Sequence, residues 1–182
     1  MDEKLQIHKI LKGDSSAFSY FVDTYQDMAI TIAYRVCGNM QDAEDIVQNA
    51  FVKTFHNLHT FKSESKFSTW FYRIVYNTAI TDTKQPVYNV QYVDYNQINI
   101  QDTHSDLDTI SQIEEKERTK LVNTALDKMP KEENVLLTLF YLEEQSIKDI
   151  SKITGLTASN VKVKLHRARK QLTIILTQLM KL

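Results

Sequence analysis

Apolar positions recur at three- and four-residue intervals along most of the chain, a spacing that predicts helices rather than strands. Residues 3 to 12 form a short amphipathic segment ended by Gly13, and Asp14 is placed to cap a long helix reaching about Val36. Phe18, Phe21, Val22, Tyr25, Met28, Ala29, Ile32 and Ala33 make its apolar side, and Gly38 and Asn39 break it. A third helix from about Gln41 to Asn57 turns Ala43, Ile46, Val47, Ala50, Phe51 and Phe55 inward and Gln41, Asp42, Glu44, Asp45, Gln48 and Asn49 outward. Polar, turn-prone sequence from Leu58 to Phe67 leads into a fourth helix over about 68 to 83, which Pro86 closes.

From Gln85 to about Ser105 the helical period is lost. A weak alternation from Val87 to Ile100 would suit a strand, but no second strand is predicted to pair with it. Helix resumes from Leu107 to Lys128, Met129-Pro130 interrupts it, and another runs from Pro130 to about Glu143 with Val135, Leu136, Leu139, Phe140 and Leu142 inward. Residues 146 to 170 then read as a helix-turn-helix. Ser146 with Asp149 forms a capping box, Gly155 supplies a left-handed turn, and Thr157 caps the second helix. Ile147, Ile150, Ile153, Leu156, Val161, Leu165 and Leu172 would close a small core between the two helices.

With three Gly and two Pro in 182 residues, the expected class is all-α: two small helical domains, 1–84 and 109–182, joined by an acidic linker over 85–108. The single Cys37 lies in an apolar stretch, which suits a buried thiol in a reducing compartment rather than a disulfide. No apolar leader opens the chain and no apolar run approaches the roughly 20 residues that span a bilayer, so a cytoplasmic protein without membrane insertion is expected.

The formal charge of −1 conceals a partition: residues 85–115 carry six carboxylates and no Lys or Arg, whereas 156–182 carry six Lys or Arg and no carboxylate. The basic face of the last helix bears Lys162, Lys164, His166, Arg167, Arg169 and Lys170. At its start Ala158, Ser159 and Asn160 are short enough to let a base edge approach, so the segment predicts a major-groove reader. A second constellation, Phe61 to Asn77, interleaves Lys62, Lys66 and Arg73 with Phe67, Trp70 and Phe71. Such a surface can follow a phosphate backbone while stacking unpaired bases.

These runs in this order resemble the extracytoplasmic-function (ECF) branch of the bacterial sigma-70 family of RNA polymerase sigma factors. The residues carrying the likeness to sigma region 2 are Asp42-Ala-Glu-Asp-Ile-Val-Gln and Phe67-Ser-Thr-Trp-Phe-Tyr-Arg-Ile. Those carrying the likeness to region 4 are Met129-Pro-Lys-Glu-Glu, Tyr141-Leu-Glu-Glu-Gln-Ser-Ile and Val161-Lys-Val-Lys-Leu-His-Arg-Ala-Arg-Lys. The resemblance implies a non-enzymatic, cofactor-free factor that binds core RNA polymerase, directs promoter recognition, melting of the −10 element and transcription initiation, answers to an anti-sigma factor, and is a monomer when free. It implies that Asp42, Glu44, Asp45, Gln48 and Asn49 meet the β′ clamp helices, and Leu137, Phe140 and Tyr141 the β flap. Lys62, Ser63, Lys66, Phe67, Trp70, Arg73, Asn77 and Lys84 would read the −10 element as melted strand. Ser159, Asn160, Lys162, Val163, Lys164, His166, Arg167 and Lys170 would read the −35 element as duplex. Where many relatives carry an arginine pair after this helix, the chain has Asp82-Thr-Lys-Gln, leaving one cation and implying strong dependence on polymerase for promoter binding.

Three other classes compete. A repressor or activator would use the helix-turn-helix but leave the aromatic-basic region without a role and lacks a dimer seam. A metalloenzyme would draw ligands from His56, His59 and the carboxylates of the third helix, which lie more than two turns away. A pure interaction protein would have no use for Lys162, Lys164 and Arg167 on one helix.

Overall fold

The computed structural model describes residues 3–83 and 115–181. These residues form eight α-helices: α1 Glu3–Leu11, α2 Ser19–Cys37, α3 Met40–Asn57, α4 Phe67–Asp82, α5 Glu115–Asp127, α6 Lys131–Tyr141, α7 Ile147–Thr154 and α8 Ala158–Met180, with 3-10 turns at Ser15–Phe18 and Leu58–Thr60. No strand occurs among them. The expected linker, its weak strand reading and the helix start at Leu107 fall outside the described residues.

In the first module α2, α3 and α4 pack on one another, with α1 against the first 3-10 turn. Its core is aromatic: Phe21 and Phe67 have ring centroids 4.3 Å apart, Phe51 and Phe71 4.6 Å, and Tyr25 and Phe67 5.4 Å. Burying each such ring contributes about 1.5–3 kcal/mol. Asp14 does not cap the long helix. Its carboxylate accepts from Ser16 Oγ at 2.5 Å, and a 3-10 turn intervenes before α2. Gly38 ends α2 in the left-handed conformation (φ 80°), and the Asn39 side chain then caps α3 by accepting from Gln41 N at 2.8 Å.

In the second module α8 is the long element on which α5, α6 and α7 lie. At eight residues α7 is too short to persist alone, and its ends are both secured. Ser146 Oγ accepts from Asp149 N at 3.1 Å, and Gly155 closes the helix at φ 76°. Pro130 stands just outside α6 rather than in its first turn, and Leu142, expected inward, is 58% exposed because α6 ends at Tyr141.

The modules meet where α6 packs on α2 and α7 packs on α4. Arg35 of α2 spans this boundary: one terminal nitrogen contacts Asp127 at 2.7 Å and the other donates to Asn123 at 2.7 Å.

Candidate nucleic-acid interface

Thr157 begins the recognition helix by accepting from Asn160 N at 3.2 Å. Ser151 Oγ donates to the Leu156 carbonyl at 2.6 Å, fixing the turn that sets α7 against α8. Val161, Leu165 and Ala168, spaced four and three residues apart, are at most 1% exposed and face α6 and α7. The remaining faces of α8 carry Ser159, Asn160, Lys162, Val163, His166, Arg167 and Lys170, all exposed. Val163 is 47% exposed, an apolar side chain amid polar ones and suited to a thymine methyl group.

Lys164 departs from this row. Its Nζ lies 2.8 Å from Glu132 Oε2 of α6, and both side chains are about four-fifths covered. The ammonium is engaged in joining two helices. Arg169 likewise turns back onto α6, its guanidinium 5.2 Å from the Phe140 ring centroid and 5.6 Å from that of Tyr141. Next to this pair, burial raises the Glu133 carboxyl above its ordinary pKa, with the charges of Lys164 and Arg167 acting in the other direction.

The loop before α4 is anchored by aromatic rings at both ends. Phe61 sits 5.7 Å from Phe67 and 5.2 Å from Trp70, and between these anchors Ser63 adopts a left-handed backbone (φ 56°). Lys62, Ser63 and Lys66 are exposed on the loop, as are Arg73 and Asn77 on α4, and Trp70 is half-buried. Phe67 is not part of this surface: at 1% exposure it is a core ring, and the contact expected of it is corrected accordingly. Lys84 lies outside the described residues. Beside Trp70 and Asn77 runs a shallow groove of about 340 Å³ that also takes in Lys53, Asn57 and Thr60 from α3 and its end, with Ile74, Thr78 and Thr81 from α4. Lys53 Nζ is held by Thr78 Oγ1 at 3.2 Å. Lys53 and Asn57, four residues apart, lie on one side of α3, and neither is among the contact residues expected from the sequence.

That acidic face presents Asp42, Glu44, Asp45, Gln48 and Asn49 to solvent in a continuous strip. Asp42, Asp45 and Asn49 line a groove of about 520 Å³ with Cys37, Ile46, Asp82, Thr83 and Lys131. Of the three residues expected at the β flap, Tyr141 is 55% exposed and Phe140 half-buried. Leu137, at 2% exposure, is a core residue of α6 and presents no surface for a flap contact. His56 and His59 are exposed, with His59 Nδ1 3.0 Å from the His56 carbonyl oxygen. Among the described residues no group of three or more His, Cys, Asp or Glu is placed to hold a metal, and no helix is long and apolar enough to cross a membrane.

Comparison with known proteins adds two matched regions: Sigma-70 region 2 over residues 21–85 and Sigma-70, region 4 over residues 119–172. The chain is 32% identical over 182 residues to the ECF RNA polymerase sigma factor SigW of Bacillus subtilis (strain 168), covering 93% of this chain and 94% of that one. It is 26% identical over 178 residues to the ECF RNA polymerase sigma-E factor of Haemophilus influenzae, covering 94% of each. Its fold is similar to that of CnrH, solved in complex with the cytosolic domain of CnrY, at a TM-score of 0.66, 20% identity and 97% coverage of both chains. Regions 2 and 4 thus occur in order, and identity above 30% extends over nearly the whole length. The chain belongs to the ECF branch of the sigma-70 family and is a sigma factor, a non-catalytic protein that acts with core RNA polymerase and promoter DNA to direct transcription initiation.

Proposed function

We propose that the work of this sigma factor is divided among three surfaces. Ser159, Asn160, Lys162, Val163, His166 and Arg167 at the start of α8 enter the major groove of the −35 element, with Lys170 on a flanking phosphate. Lys62, Ser63, Lys66, Trp70, Arg73 and Asn77 hold the melted −10 strand, helped by Lys53, Asn57, Thr60 and Thr81 along the adjoining groove. There Trp70 offers a ring for a base and Lys53 a charge for its phosphate. Asp42, Glu44, Asp45, Gln48 and Asn49 dock on the β′ clamp helices, and Phe140 and Tyr141 on the β flap. Residues 1–84 and 109–182 act as the two functional domains. The protein works in the cytoplasm, and an anti-sigma factor controls its access to polymerase.

The observation that carries this reading is the sorting of α8, whose inward positions are buried aliphatics while seven expected DNA-facing positions are all exposed beyond a side-chain-capped turn. Transcription in vitro with purified core polymerase tests it. Arg167→Ala is expected to abolish promoter-specific initiation while core binding persists, and Asp45→Ala to weaken core binding first. Equal loss of both activities in both variants refutes the division.

A further inference from the structure

Arg169 has a place in none of the three surfaces proposed above. At about 100° per residue it stands roughly 120° round α8 from Val163 and roughly 160° from Arg167. Lys162, which shares its side of the helix, lies about two turns nearer the start. The guanidinium of Arg169 lies instead over the end of α6, 5.2 Å from the Phe140 ring centroid and 5.6 Å from that of Tyr141. Those two rings meet edge to face at 5.0 Å.

Ring faces attract the positive charge but offer no oxygen to the five N–H donors of a guanidinium. Arg169 is exposed, and among the described residues no carboxylate pairs with it. Beside it Tyr141 is 55% exposed and Leu142 58%, with Phe140 half-buried. The patch is therefore an apolar surface with one cation held at its edge. A segment that fits it sets an apolar side chain against Tyr141 and Leu142 and a carboxylate against Arg169, whose parallel N–H groups match the two oxygens. A DNA phosphate would satisfy the guanidinium and leave Tyr141 and Leu142 in water. Aromatic rings together with Arg are what protein interfaces favour.

We propose that Arg169 contacts polymerase rather than DNA: with Phe140 and Tyr141 it forms a cationic and aromatic seat for a segment of the β flap that carries a carboxylate beside an apolar side chain. This rests on the assignment of Phe140 and Tyr141 to the flap and adds the charge that the segment must bear.

The test uses holoenzyme assembled from the full chain and core polymerase on a promoter with both elements. A photoreactive benzoylphenylalanine at position 169 is expected to cross-link to the β flap, and the same probe at position 163 to promoter DNA. Arg169→Gln should require about tenfold more holoenzyme to protect the −35 element in footprints, a loss between those for an exposed and a buried charge pair. The salt slope of promoter binding should stay as in the parent, because no phosphate contact is lost. Arg169→Glu should lose the protection altogether, and a Lys in place of a carboxylate in the cross-linked flap peptide should restore it. A purely structural role for Arg169 would not be restored by a change in another protein.

Cross-linking of position 169 to DNA, a slope flattened by about 0.9 in Arg169→Gln, or failure of every such flap reversal to restore protection overturns the proposal. If Tyr141→Ala abolishes −35 protection while Arg169→Glu leaves it intact, the flap assignment stands and Arg169 has no part in it. If neither change affects protection, the flap assignment falls as well.

Discussion

Lys164 separates two accounts of the recognition helix, one in which every cation on it meets phosphate and one in which this cation builds the module. Its Nζ is 2.8 Å from Glu132 Oε2, with side-chain exposures of 22% and 20%. Exposed pairs of this kind are worth about 0.2–1 kcal/mol, and breaking one that is fully buried costs about 3–5 kcal/mol. At about one-fifth exposure on each side, a coupling of about 1–2 kcal/mol is expected. Lys164→Met keeps the apolar stem and removes the charge, and Glu132→Gln removes its partner. In urea unfolding the single variants should each lose about 1–2 kcal/mol and the double variant little more than either, because the second change breaks nothing that is still intact.

Promoter binding by the assembled holoenzyme supplies the independent reading. Each phosphate contact contributes about 0.9 to the slope of log K against log salt, so Lys170→Ala should flatten the slope by about that amount and Lys164→Met should leave it unchanged. Additive single losses, together with a slope flattened by Lys164→Met, would refute the structural role and return Lys164 to the phosphate-contacting set.

Ser146→Ala removes the α7 cap and should lower stability by about 1 kcal/mol, read as a reduced urea midpoint with an unchanged m-value. Burial raises the Glu133 pKa in the folded chain, so its stability contribution is fully present below the ordinary value of 4.5 and is lost as pH rises through the folded value. Glu133→Gln should therefore be more stable than the parent at neutral pH and lose that advantage below about pH 4.5, as measured by thermal unfolding across pH; a constant difference would refute the assignment. Trp70→Ala should remove stacking worth about 1–3 kcal/mol, cutting permanganate reactivity of −10 thymines while core binding and −35 protection in footprints persist.

What could be read from the sequence was what neighbouring residues decide among themselves. Ser146, Gly155 and Thr157 act within one turn of their own positions, and all three perform the capping or turn role expected. The split of α3 into a buried apolar side and an exposed acidic side follows from helical spacing alone, except at Phe55, which is 37% exposed while still packing 5.2 Å from Phe18. The misplacements among the expected contact residues share one cause. Phe67, Leu137 and Lys164 each fit an outward role in the local pattern, but a distant element covers or engages them: Phe21 and Phe71 around Phe67, the packing of α6 between α2 and α8 over Leu137, and Glu132, 32 residues away, against Lys164. Arg35 is the extreme case, because Asp127 lies 92 residues along the chain and no period links them.

The near-neutral net charge follows from the same separation of local and distant. The exposed strip Asp42, Glu44, Asp45, Gln48 and Asn49 contains carboxylates and no cation, so it repels phosphate and suits a protein partner. The exposed row on α8 contains Lys162, Arg167 and Lys170 and no carboxylate, so it favours DNA. At physiological salt charges interact over about 8 Å, so each surface presents its own sign to whatever approaches it. The formal −1 is a sum over the whole chain, the six carboxylates of 85–115 included, and carries no information about either surface. Neutralising the acidic strip would raise the net charge and yet, by the surface argument, weaken association with polymerase while leaving the phosphate contacts of α8 unchanged.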